Sequence, residues 1–221
     1  MVKRGRPEQA QRDKKKRFIA VAGEGLFDRK VLGHLISELH PGTCPKIVHI
    51  GKQIHLAAAD RQLRPRLDEL RRLAQAMERS QGATLAAIAV HVDFDGVEGP
   101  DYAKTRQRIS SELENMFSPG CDTALALSAF EMEAWLMLFP DAFPKVRPGW
   151  KLSAQECRRN LGMIENAKEH LKRLLKQPPY RESDAPAIAE QAARLKLVVP
   201  APSGTSRSYV DFAGDLSKWR K

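Results

Sequence analysis

Ile88-Ala-Val-His-Val-Asp-Phe-Asp-Gly96 is the stretch on which the fold turns, an apolar run that ends in two aspartates. Residues 84–92 carry almost nothing polar before His91, the pattern of a central strand covered on both faces. Asp93 and Asp95 lie two residues apart. If extended geometry continues through them, both carboxylates face the same side. Gly96 then frees the chain to turn away from the sheet. In open α/β sheets, ligands collect at the carboxyl ends of strands, where these acids are placed. Two unneutralised carboxylates there repel each other unless a cation or strong donors sit between them. Magnesium is the simplest answer.

Toward the N-terminus, Arg17-Phe-Ile-Ala-Val-Ala22 reads as the first strand, with Gly23-Glu-Gly25 as a tight exit. Phe27, Val31, Leu35, Ile36 and Leu39 mark an amphipathic helix that His40-Pro-Gly42 stops. Glu24 thus sits in the first strand-to-helix turn. The third glycine of a dinucleotide fingerprint is missing, and an acid there repels a pyrophosphate but suits a metal. Lys46-Ile-Val-His-Ile50 is a short second strand. The next helix buries Leu63, Leu67, Leu70, Ala74 and Met77, and its arginines read as a solvated face balanced by Asp68, Glu69 and Glu78.

After the central stretch come a helix over Tyr102 to Phe117 and a fourth strand over Asp122 to Leu127. Ser128 then caps a mostly apolar helix from Phe130 to Phe139. Glu131 stands three residues after Ser128, the spacing of a capping box, so its plainest role is to satisfy backbone donors. Glu133 falls on another face, where an arginine is a natural partner. The β-α alternation implies a parallel sheet of about four strands with right-handed crossovers. Beyond it, Ser153 to Asn160, Met163 to Lys176, Pro186 to Lys196 and Ser206 to Trp219 show helical spacing. Three segments are therefore expected: a basic arm over 1–16, an α/β domain over 17–140, and a helical extension over 141–221 packed on it.

The net charge of +10 is uneven, because residues 1–17 hold eight Lys/Arg against Glu8 and Asp13. The first 16 residues have too little apolar content to fold and read as a disordered arm. Lys3, Arg4, Arg6, Lys14, Lys15, Lys16 and Arg17 in and beside it suit an anionic polymer, DNA or RNA. Within it Lys3-Arg-Gly-Arg-Pro7 resembles the core of an AT-hook, which lies in the minor groove of AT-rich DNA. A polycation without sequence preference is the simpler account. With 42% hydrophobic residues, the rest of the chain has enough apolar content for a packed core. The sequence has no apolar run of membrane-spanning length and no signal-peptide pattern. Cys44, Cys121 and Cys157 have neither zinc nor disulfide spacing, which fits a reducing cytoplasm.

Gly23-Glu24-Gly25 after the first strand, together with Asp93-Phe-Asp95 after a later one, resembles the TOPRIM fold of topoisomerases, primases and OLD-family nucleases. Phe130-Glu-Met-Glu-Ala-Trp-Leu136, followed by Tyr180-Arg-Glu-Ser-Asp184, is similar to the TOPRIM-like proteins of domain of unknown function 4276. Those relatives place a lysine after the later tyrosine, in a Tyr-x-Lys pattern. Here the nearest basic group is Arg181, a departure that leaves no counterpart for a lysine stabilising the transition state.

The resemblance implies a nuclease that uses Mg2+ or Mn2+. Glu24 is then general base or metal ligand, Asp93 and Asp95 are ligands, and Ser128 and Glu131 complete a second metal site. Two metals supply what phosphodiester cleavage needs, and magnesium accepts a few hard oxygen ligands. Arg181 joins the nucleic-acid contacts. Relatives also imply phage defence or mobile elements as a setting, and an ATPase as partner. A D-x-D alone also occurs in nucleotide-sugar transferases and haloacid-dehalogenase phosphatases, but the phosphatase nucleophile follows the first strand, where this chain has Glu24. The alternative function is a non-catalytic nucleic-acid-binding accessory protein with a degenerate site. Glu98 is a spare acid near the aspartates. His91 shares the face of Asp93 and reads as a buried, hydrogen-bonded histidine able to tune it.

Overall fold

The computed structural model describes residues 16–56 and 60–221. The basic arm assigned to 1–16, apart from Lys16, lies outside the described residues. Four strands, β1 (Arg17–Ala22), β2 (Lys46–His49), β3 (Thr84–Asp93) and β4 (Asp122–Ser128), form one sheet in the order β2-β1-β3-β4. Every pairing is parallel, with Val21 opposite His49, Ala22 opposite Val90 and Asp93 opposite Ser128. β1 and β3 are the central pair.

Three helices connect these strands: α1 (Leu26–Leu39), α2 (Asp60–Gln81) and α3 (Pro100–Phe117). Side-chain alternation divides the core between the two faces of the sheet. Phe18, Ala20, Ile88, Val90, Leu125 and Leu127 face α2 and α3, against Leu67, Leu70, Tyr102 and Ile109. Ile19, Val21, Ala87, Ala89, Ala124 and Ala126 face α1 and the C-terminal part of the chain. The small alanines on that second face leave room for rings, and Trp135, Tyr209 and Phe212 are fully or almost fully buried there.

The segment after β4 differs from the expected helix. Among the described residues it holds only α4 (Glu133–Leu136), followed by 3-10 turns and α5 (Phe143–Val146). Ser128 does not cap it: this residue ends β4, and its hydroxyl turns inward to Asp93. The apolar run from Ala129 to Phe139 is buried almost throughout. A run buried on all sides needs no amphipathic helix, which is why its helical periodicity misleads. Next come α6 (Ala154–Cys157), α7 (Ala167–Leu174), α8 (Ala185–Arg194) and α9 (Arg207–Ser217). The last two pack on the sheet side with α1, within the same core as Ile19 and Val21. No helix among the described residues is long and apolar enough to cross a membrane.

Candidate functional site

The loop after β1 leaves toward the α1 face, and the loop after β3 leaves toward the α3 face. β1 and β3 therefore flank a topological switch point, where open parallel sheets leave a crevice at the carboxyl ends of their strands. Glu24 follows β1, Asp93 ends β3, and Ser128 ends the neighbouring β4.

At this edge His91 is the hub. Its side chain is wholly buried. Nε2 lies 3.3 Å from Asp93 Oδ1 and 3.1 Å from Ser128 Oγ, while Nδ1 has Asp28 Oδ2 at 3.7 Å and no hydrogen-bond partner. Burial disfavours the imidazolium, but Asp93, Asp28 and Glu24 outweigh it and push the imidazole up to about 9. Ser128 Oγ donates to Asp93 Oδ1 at 2.6 Å. Burial alone raises the Asp93 carboxyl; the His91 charge and hydrogen bond, with that of Ser128, hold it below the usual carboxylate range. The expectation that His91 shares the face of Asp93 and is hydrogen-bonded thus matches the geometry. Gly23 is what brings β1 this close, since a Cβ on it meets the His91 Cβ at 2.9 Å. Arg29 Nη1 donates to the Gly23 carbonyl at 2.9 Å and ties down the turn that carries Glu24.

Each acid singled out from the sequence has a definite place. Glu24 accepts from His55 Nδ1 at 2.8 Å, and its side chain is 23% exposed. Asp95 parts from Asp93: the strand stops at Asp93, and Asp95 takes a left-handed backbone with φ of +57° and is exposed. The chain therefore turns at Asp95 rather than at Gly96, and the two aspartates do not continue one extended face. Asp residues tolerate this conformation better than most. Gly96 is instead a packing residue, because a Cβ there meets the Phe94 ring at 2.8 Å.

Glu131 forms no capping box with Ser128. Its Oε2 accepts from the Lys168 amide at 2.7 Å, with Lys168 Nζ 3.9 Å from Oε1. Glu98 does not enter the site: it accepts from the Arg207 and Ser208 amides at 2.9 and 2.8 Å and holds the start of α9. Arg181 is exposed, with its amide bonded to Asp184. Lys16 and Arg17 lie at the opposite, amino-terminal edge of the sheet, where the Lys16 carbonyl accepts from Thr84.

Sequence reasoning missed several members of this edge. Asp28 and Arg29 lie on α1, His55 beyond β2 and Lys168 at the start of α7. Glu133 meets no arginine. It is 2% exposed, accepts from the Tyr180 hydroxyl at 3.2 Å, and leaves Oε2 without a hydrogen-bond partner. Burial raises its carboxyl to about 7 against the opposing charge of Lys168. Lys168 Nζ also lies 3.7 Å from Glu182 Oε2, and Glu133, Glu182 and Glu131 raise its ammonium despite partial burial. Lys168 thus places an ammonium beside Glu131 and Glu182, from a segment separate from Tyr180. The only signal for it was the basic character of α7, which carries Lys168, Lys172 and Arg173.

The edge gathers hard oxygen donors, with Asp93, Glu24 and Glu131 side chains between 23% and 28% exposed. Their chemistry and access fit a divalent cation of the magnesium type. Their present placement is looser: among the described residues no three His, Cys, Asp or Glu side chains group closely enough to hold a metal ion. No protein-family model, curated protein or solved structure matches the chain.

Proposed function

We propose that this chain is a phosphodiesterase of TOPRIM type, a Mg2+- or Mn2+-dependent nuclease acting on DNA or RNA. The observation that carries this reading is a set of acids beside one crevice: Asp93 at the end of β3 and Asp28 in the first turn of α1 lie 3.3 and 3.7 Å from the buried His91 ring, and Glu24 follows β1. Acids concentrated at a strand-end crevice are costly unless they serve a cation, and this site retains a carboxylate excess after His91 and Lys168 are counted. Asp93, Glu24 and Asp95 are the ligand candidates for a first ion, Ser128 and Glu131 for a second. When bound, such ions neutralise the non-bridging oxygens and make a water nucleophilic.

The chain's own groups do the rest. His91 Nε2–H holds Asp93 Oδ1 in place, and Ser128 Oγ–H holds it from the side. Glu24 is free to exchange its exposed His55 partner for a cation or for the proton of an attacking water. Lys168 Nζ stands beside the acids as a phosphate-binding ammonium, oriented by Glu131 and Glu182.

The test is incubation of the purified protein with plasmid, single-stranded DNA and RNA, with and without Mn2+. Metal-dependent cleavage is expected, and its loss in the Asp93→Asn, Asp95→Asn double variant with binding retained. Equal cleavage by that variant removes the enzyme reading. One observation favours a second reading. His91 and Ser128 already satisfy Asp93, as in an accessory protein whose degenerate site has replaced its metal with internal donors. Nucleic-acid binding without cleavage in any metal supports that reading.

A further inference from the structure

We infer that the surface of residues 145–181 is the track on which the phosphate backbone of a nucleic acid runs toward the acids. The inference deepens the proposed function and rests on its reading of the substrate as a polyanion. This part of the chain carries ten Lys/Arg against Glu156, Glu165 and Glu169 alone. Nine of the ten basic residues are exposed, all but the half-buried Lys168. Arg159 pairs with Glu156 and Lys172 with Glu169, whereas Lys151, Arg158, Arg173 and Lys176 form no ion pair among the described residues. Outside the N-terminal arm, the chain's positive charge is therefore concentrated here.

Tertiary contacts gather these cations. Trp150 Nε1 donates to the Pro178 carbonyl at 2.8 Å and its ring lies 6.2 Å from Tyr180, which brings Lys151 beside the Lys176–Arg181 turn. His170 Nε2 meets Glu156 Oε2 at 2.6 Å, which ties α6, with Arg158 at its C-terminal end, to α7, which carries Arg173. The track ends in the site itself, because the first turn of α7 carries Lys168, whose amide holds Glu131. This continuity matters physically: a crevice of carboxylates repels a polyanion, so a flanking run of unpaired cations has to supply the attraction. The arginines of α2 are a poorer candidate. They alternate with acids, and Arg64 and Arg71 are paired with Glu112 and Asp68 at 3.3 and 3.5 Å.

The experiment uses the full chain in EDTA, so that binding is read without cleavage. A triple variant, Arg158→Ala, Arg173→Ala and Lys176→Ala, is compared with Arg71→Ala, Arg72→Ala and Arg79→Ala on α2. The probes are a labelled duplex of about 30 base pairs, its separate strands and an RNA of the same sequence, over roughly 50–200 mM salt. The first triple is expected to weaken binding about tenfold or more and to make the salt dependence shallower by about 2–3 in log–log slope. The α2 triple should change affinity less than about twofold. Restoring charge with Arg158→Lys and Arg173→Lys, with Lys176 intact, should recover most of the affinity, which separates lost charge from misfolding.

The probe most weakened by the triple identifies the substrate strand. Wild-type affinity and slope in the first triple, or equal losses in both triples, overturn the inference. So does a loss seen only with vesicles of anionic phospholipid, run as a further probe, which makes the surface a membrane contact. Absence of cleavage in the wild type with this pattern intact removes the nuclease reading and leaves the track standing.

Discussion

His91 shows how one side chain decides the character of the site. With its imidazole raised from 6.5 to about 9, the folded state binds a proton more tightly than the unfolded chain. The resulting stability is present in full below pH 6.5 and is lost as pH rises through about 9, an effect on the order of 3 kcal/mol. The melting temperature should fall across that window, and in His91→Gln this slope should vanish; an unchanged slope by thermal unfolding would show that the imidazole is not charged. Glu133, raised to about 7, loses stability over a lower window, between 4.5 and 7, so the two contributions separate along the pH axis. His91 was readable as a companion of Asp93 because alternation along β3 puts them on one face. Asp28 and Lys168 were not, because their approach depends on how α1 and α7 pack.

Glu98 makes the same point for elements. Its carboxylate accepts two amides and the Ser206 hydroxyl at the start of α9, and thereby ties the loop that carries Asp95 to the C-terminal segment. Glu98→Ala should cost about 1–3 kcal/mol by urea unfolding, with Glu98→Gln in between. A variant as stable as the wild type would show that Ser206 alone suffices as the cap. The strands β1 to β4 were legible as short apolar runs bounded by turn residues, and helices α1 to α3 because each buries one face at a helical period. The Phe130–Phe139 segment was not. Burial on all sides removes the polar stripe that locates a helix, and Ser128 found a stronger partner in Asp93 than in a backbone amide.

Across the whole molecule, the acids and the entry of the basic arm stand at opposite edges of the sheet: β1 begins at Arg17 and delivers Glu24 at its far end. Deleting residues 1–16 should therefore weaken nucleic-acid affinity and flatten its salt dependence by roughly 0.9 in slope per lost phosphate contact. An unchanged slope in binding titrations would show that the arm takes no part. The core runs without interruption from β1 through Trp135 to Tyr209 and Phe212, so the C-terminal helices supply one wall of the site's surroundings.

The sequence by itself determined the parallel α/β alternation, one central strand, β3, and the acids that follow β1 and β3. Hydrophobic period and turn residues act locally, and they are written in the order of the chain. Only the tertiary structure decided which groups those acids meet. His55, Asp28, Lys168 and Tyr180 come from four separate segments, and the parting of Asp95 from Asp93 is a single backbone rotation. Electrostatic pairing acts through space, where separation along the chain carries no information.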